Sequence, residues 1–169
     1  MEKIYGNIRK ISEEIVRECA ARGYKISTAE SCTGGMIAAA VTAISGSSAV
    51  IELGICSYSN RIKNEVLGVS EETLREFTEY SLPCAEEMAK GAVTVSGADF
   101  AVSTSGVAGP TGGTVENPVG TVYIAVFGKS VSESKRFEFE NNGRDHIRAA
   151  ATERALEMLL RIIKSKGES

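Results

Sequence analysis

The stretch Glu30-Ser31-Cys32-Thr33-Gly34-Gly35 combines residue types that could do chemistry with a spacing that would expose them. It follows a short predicted strand over residues 25–29 and opens a predicted helix over 34–43. A serine at such a turn points into the crevice at the carboxyl end of its strand. The amides after it lie in the first turn of the helix, where they have no helical acceptor and the helix dipole draws negative charge. Two glycines let a ligand come close to the backbone. Thr33, Gly34 and Gly35 could therefore cradle a phosphate, or form an oxyanion hole beside a nucleophilic Ser31. The bland alternative is a serine that only caps a helix.

A second stretch, Tyr58-Ser59-Asn60-Arg61-Ile62-Lys63, comes just after the next predicted strand. A lysine activates a serine when burial or neighbouring positive charge lowers its pKa, and Ser-Lys pairs are a known variant of triad logic. The chain has one histidine, His146, so a Ser-His-Asp triad would rest on that residue alone. On its own, Lys63 reads first as a solvated surface lysine. A third stretch runs from Thr104, Ser105 and Gly106 through Gly109-Pro110 to Gly112, Gly113 and Thr114. It is too small and polar for core, and its amides and hydroxyls could wrap a polar or anionic ligand. It lacks the spacing of a P-loop. Arg144 and Arg148 stand four apart at the start of the last predicted helix, where they could meet a phosphate or pair with Asp145 and Glu153. Cys32 could be a nucleophile with Glu30 and Lys63 as partners, or a small packing residue.

Something must position these side chains, and the hydrophobic pattern says what. Ile4, Ile8, Ile11, Ile15 and Cys19 recur every three or four residues, which predicts a helix over 4–21 ended by Gly23. Strands are predicted over 25–29, 49–57, 100–103, 121–127 and 134–139. Helices are predicted over 34–43, 60–66, 70–77, 81–96 and 144–164. The last two strands read as a hairpin turning around Gly128. Alternating elements with a late antiparallel pair imply an α/β fold, a three-layer α/β/α sandwich around a mixed sheet. No repeat, low-complexity tract or linker interrupts residues 1–169, so one domain is expected.

Composition narrows the function. Nineteen basic and 22 acidic residues give a net charge of −3, which does not suit bulk coverage of a nucleic-acid backbone. Charges run through the first 22 residues, unlike a signal peptide, and no apolar run is long enough to span a membrane. Four cysteines stand far apart with no Cys-x-x-Cys pair, so neither a zinc site nor a disulfide framework is expected, and the setting is a reducing cytoplasm. No metal and no cofactor is expected.

Taken in order, these stretches resemble the carboxy-terminal domain of the CinA (competence-damage-inducible) family. The matching segments are Thr28-Ala29-Glu30-Ser31-Cys32-Thr33-Gly34-Gly35, Tyr58-Ser59-Asn60 with Lys63, Leu67-Gly68-Val69, Ser96-Gly97-Ala98-Asp99, Thr104 to Pro110, Gly112-Gly113-Thr114 and Pro118 to Val122. The resemblance spans nearly the whole chain and looks like a stand-alone form of that domain. It implies a nicotinamide-nucleotide amidase, which converts nicotinamide mononucleotide and water to nicotinic acid mononucleotide and ammonia in pyridine-nucleotide salvage. The family's nucleophile falls on Ser31 and its base on Lys63. Gly34-Gly35 and Gly112-Gly113 would line the pocket, Tyr58, Asn60 and Thr104 match pocket positions, and Arg144 is the candidate phosphate ligand. The sequence departs from the family pattern at Thr78-Glu79-Tyr80-Ser81, where Gly-Ala/Val-Val-Ser is usual, which alters one pocket wall. The alternative function is a non-catalytic nucleotide-binding or recombination-associated module, with Gly34-Gly35 holding a phosphate and Lys63 pairing with it. The apolar faces of the helices over 36–44 and 149–163 suggest a homo-oligomer.

Overall fold

The computed structural model describes residues 1–165. Helix α1 (Glu2–Arg22) leads into β1 (Ile26–Glu30), α2 (Met36–Thr42) and, after a single 3-10 turn at Ser47–Ala49, β2 (Ile51–Cys56). Then come α3 (Asn60–Leu67), α4 (Glu71–Glu76), α5 (Leu82–Ser96), β3 (Phe100–Gly106), β4 (Thr121–Gly128), β5 (Val131–Glu138) and α6 (Arg144–Ser165). The five strands form one sheet in the order β2-β1-β3-β4-β5. Strand β1 lies parallel to β2 and β3, while β4 runs antiparallel to both β3 and β5. Helices α1, α2 and α6 pack on one another over one face, and α5, with α3 against it, covers the other. This is the three-layer mixed sandwich that the pattern predicts.

Burial explains the layering. The three central strands are buried along almost their whole length, with Ala29, Phe100, Val102, Ile124 and Val126 shut from solvent. Helix α6 supplies Ile147, Ala151, Leu156, Leu159 and Ile163 to the larger core, against Ile8 and Ile15 of α1. Edge strand β5 is charged and has no buried residue, a composition that discourages pairing with another chain. No helix among the described residues is long and apolar enough to cross a membrane.

The parallel arrangement of β1, β2 and β3 decides where chemistry can occur. Glu30 is in register with Cys56 on one side and Thr104 on the other, so the three loops after these strands leave from one edge of the sheet. Two boundaries differ from expectation there. Strand β1 runs one residue further, to Glu30, and α2 starts at Met36 rather than at 34. Gly34 and Gly35 take φ of 60° and 93°, which no right-handed helix accommodates. The β4–β5 turn also falls on Lys129 and Ser130 (φ 45° and 63°) rather than on Gly128. Two consecutive left-handed residues match the twist of the paired strands.

Helix α3 carries Lys63, and a glycine seats it. A Cβ at Gly91 of α5 would lie 1.8 Å from the carbonyl oxygen of Leu67, at the end of α3. Gly91→Ala is therefore expected to lower unfolding stability by about 3 kcal/mol, since backbone cannot move aside as a flexible side chain can. A denaturant titration measures it, and a loss below half of that would mean that α3 is not held at this point.

Candidate active site

Ser31 begins the turn after β1. Its N–H donates to the Thr104 carbonyl at 2.9 Å, and the Ser57 N–H donates to the Glu30 carbonyl at 2.8 Å, so the three strand ends are stitched together. Helix α3 starts just beyond, with the Ser59 hydroxyl capping it by accepting from the Ile62 N–H. Lys63 lies four residues into this helix. Helical side chains lean toward the helix N-terminus, and this one returns over the Ser57 loop toward β1. Its Nζ is 3.3 Å from Ser31 Oγ and donates to the Ser57 carbonyl at 2.8 Å. Lys63 is 1% exposed and Ser31 7%.

Neither hydrogen bond of the Lys63 amine goes to a carboxylate. Burial pushes the ammonium below its ordinary value, with weaker opposing pulls from Cys84, Glu79 and Cys32. A desolvated lysine beside a serine hydroxyl is what general-base activation requires.

The pair opens onto a cleft of about 120 Å³. One side is Tyr58 from the loop ahead of α3 and Asn60, its first residue, and another is Glu79 and Tyr80 ahead of α5. The third loop contributes the run from Gly106 to Gly109, together with Thr111 and Gly112. Arg144, the first residue of α6, stands at the exposed end, donating to the Gly109 carbonyl and to the Tyr58 hydroxyl, both at 2.8 Å. The cleft thus runs from a buried Ser-Lys pair to an exposed arginine.

The family model for the CinA C-terminal domain matches residues 8–163. The chain belongs to this family. Over 152 residues it is 45% identical to the nicotinamide-nucleotide amidohydrolase PncC of Escherichia coli K12, covering 90% of this chain and 92% of that protein. It is 44% identical over 155 residues to a CinA-like protein of Shewanella sediminis, covering 92% of this chain and 37% of that protein. The chain therefore spans well under half the length of such longer relatives. The crystal structure of the competence/damage inducible protein CihA from Agrobacterium tumefaciens superposes with a TM-score of 0.90 at 42% identity, covering 92% of this chain and 94% of that one.

In this CinA domain the helix amides expected to meet a ligand are already occupied. The Gly35, Ile37 and Ala38 N–H groups donate to the buried Glu30 carboxylate at 3.0, 3.1 and 2.9 Å, and the Gly34 N–H donates to the Ser31 carbonyl. A side chain of the protein fills the anion site at the start of α2, so Gly34 and Gly35 shape the turn and do not line the cleft. Thr33 and Thr104 are also set back. Their hydroxyls lie 2.8 Å apart, and the Thr33 hydroxyl donates to Glu30 at 2.7 Å. Ser105 uses its hydroxyl on the Glu79 carbonyl, and Gly113 lies against Val119. Arg148 donates to the Cys32 and Thr33 carbonyls, which fixes the Ser31 turn from behind instead of facing the cleft. Of the expected residues, Ser31, Tyr58, Asn60, Lys63, Gly106, Gly112 and Arg144 come together at the cleft.

Sequence reasoning missed Glu30 as the anchor of the turn, and Glu79 and Tyr80 as cleft residues. A carboxylate just before a helix start was the available signal for Glu30. For the other two the signal was the departure from the family pattern at 78–80. Cys32 lines the cleft, but burial pushes its thiol up to about 12. Alkylation of the folded protein is expected to modify exposed Cys56 and spare Cys32, with activity retained. Peptide mass mapping after iodoacetamide treatment checks this, and inactivation that tracks Cys32 labelling would restore the cysteine nucleophile. His146 is half-exposed and lies outside the cleft.

Proposed function

We propose that this chain is a nicotinamide-nucleotide amidase that converts nicotinamide mononucleotide to nicotinic acid mononucleotide and ammonia. The observation that carries the reading is the buried Lys63 amine 3.3 Å from Ser31 Oγ, at the closed end of a cleft with an arginine at its mouth. The 45% identity to PncC over 90% of the chain supports the substrate class.

In this mechanism neutral Lys63 takes the Ser31 proton as Oγ attacks the carboxamide carbon. The N–H groups of Cys32 and Thr33, which neither Glu30 nor the Ser31 carbonyl takes up, are the candidate donors to the oxyanion. Lys63 passes its proton to the amide nitrogen, ammonia leaves, and an acyl ester remains on Ser31. Water, with Lys63 again as base, cleaves that ester and releases the carboxylate. Arg144 takes the phosphate with guanidinium N–H groups beyond those bound to Gly109 and Tyr58. A cytoplasmic setting, a role in pyridine-nucleotide salvage and a homo-oligomeric state belong to the same proposal.

The deciding experiment is ammonia release from the mononucleotide across a pH series. A base whose pKa is lowered by burial works above that pKa and is lost as pH falls through it. The kcat/KM profile is expected to rise through a limb below the ordinary lysine range. A profile flat down to acid pH would remove Lys63 as the base, and no ammonia at any pH would remove the amidase. The non-catalytic alternative needed the Gly34-Gly35 amides for a phosphate, and Glu30 holds that place.

A further inference from the structure

Among the described residues lining the cleft, Glu79 is the one carboxylate. Its side chain is half-buried and has a single hydrogen bond, from Asn60 Nδ2 at 3.3 Å, with no ion-pair partner among the described residues. Its backbone is held from several sides. The Glu79 carbonyl accepts from the Ser105 hydroxyl at 2.6 Å. The next carbonyl, of Tyr80, accepts from Asn117 Nδ2, and Asn117 accepts in turn from the Tyr123 hydroxyl at 2.8 Å. The preceding residue, Thr78, has φ of 64°, a conformation that a β-branched residue adopts only when its surroundings impose it. The backbone that carries Glu79 is thus fixed, and its carboxylate has no ion-pair partner among the described residues.

A cleft built only for an anionic ligand would be weakened by such a group. Arg144 and Glu79 put a cation and a carboxylate in one cleft beside the Ser-Lys pair, so its charges suit a ligand that carries both signs. Glu79 lines the same cleft as Ser31 and Lys63. If a carboxamide sits at Ser31, the ring bearing it must lie beside this wall. Tyr80 and Tyr58 add aromatic rings that also favour a cation.

We propose that Glu79 is a specificity-determining residue that recognises the positive charge of an N-substituted pyridinium ring and so selects the charged nucleotide over a neutral isostere. This rests on the amidase reading for the placement of the ring.

Binding by titration calorimetry tests it apart from turnover. The protein is Ser31→Ala, with and without Glu79→Gln. The ligands are nicotinamide mononucleotide and benzamide mononucleotide, in which a ring carbon replaces the quaternary nitrogen. Ser31→Ala is expected to bind the charged ligand about tenfold more tightly, as for one partly screened charge pair. Glu79→Gln is expected to reduce that preference to about twofold or less while leaving benzamide mononucleotide binding unchanged. A preference that survives Glu79→Gln overturns the proposal, as does equal binding of the two ligands, or binding of neither, before Glu79 is changed. If wild type releases no ammonia yet the charge preference is present and falls with Glu79→Gln, the amidase reading fails and the charge-recognition role stands.

Discussion

Lys63→Met protein is expected to release ammonia about 10³-fold more slowly than wild type and to unfold at a higher temperature. Both effects come from one side chain. Methionine fills a similar volume but cannot take the Ser31 proton, so the general-base contribution is lost. Ser31→Ala is expected to lose about 10⁴-fold or more, because the covalent route itself disappears. Full activity in Ser31→Ala would remove serine from the nucleophile role.

The stability change has the opposite sign because burial holds the native Lys63 pKa below its unfolded value. Between those two values the unfolded chain binds a proton that the native protein does not, so wild-type stability rises with pH across that interval. Below it the wild type carries the full penalty of a buried ammonium. Lys63→Met removes the penalty, for a gain of about 1 kcal/mol near neutral pH that shrinks toward the ordinary lysine pKa. Melting temperatures of both proteins across pH measure this. A variant less stable than wild type at neutral pH would mean that the bond to the Ser57 carbonyl outweighs desolvation.

Glu30→Ala is expected to cost about 3–5 kcal/mol of unfolding stability and most of the activity. Glu30 is fully buried and accepts from the Gly35, Ile37 and Ala38 amides and from the Thr28 and Thr33 hydroxyls. Alanine would leave these donors without an acceptor, and those of Thr28, Thr33 and Ile37 are fully buried. For a domain of this size the change corresponds to a fall in melting temperature of about 10 °C. The turn it holds is the one that places Ser31, so kcat is expected to fall in the protein that still folds. A melting temperature within about 2 °C of wild type would show that water or a shifted side chain replaces Glu30.

Much of the architecture was legible in the chain. The three- and four-residue recurrence of Ile4, Ile8, Ile11, Ile15 and Cys19 marked α1, and Gly23 marked its end. Ser59, Ser70 and Ser81 each cap the helix that follows by accepting an amide hydrogen bond. These signals are local, since a helix period and a cap depend on neighbours within a turn. The Lys129-Ser130 turn was not legible because nothing in that dipeptide demands positive φ. The strand pairing imposes it.

For the site, residue types and order named Ser31 and Lys63, and the family resemblance joined them. The sequence by itself named Ser31, Lys63 and part of the cleft lining, and the elements that would carry them. Only the tertiary structure decided their company. It brought Lys63 back over 32 residues of chain to Ser31 by setting β1 and β2 parallel, so that both loops leave from one sheet edge. It turned Glu30 inward onto the α2 amides, and so changed the glycine pair from a ligand cradle into a shaped turn. It also placed Glu79 and Tyr80 in the cleft wall. The physical reason is the same each time. A pKa lowered by burial, an amide already occupied and a carboxylate without a cation are properties of an environment, and distant parts of the chain assemble that environment only when the sheet and its two helical layers close.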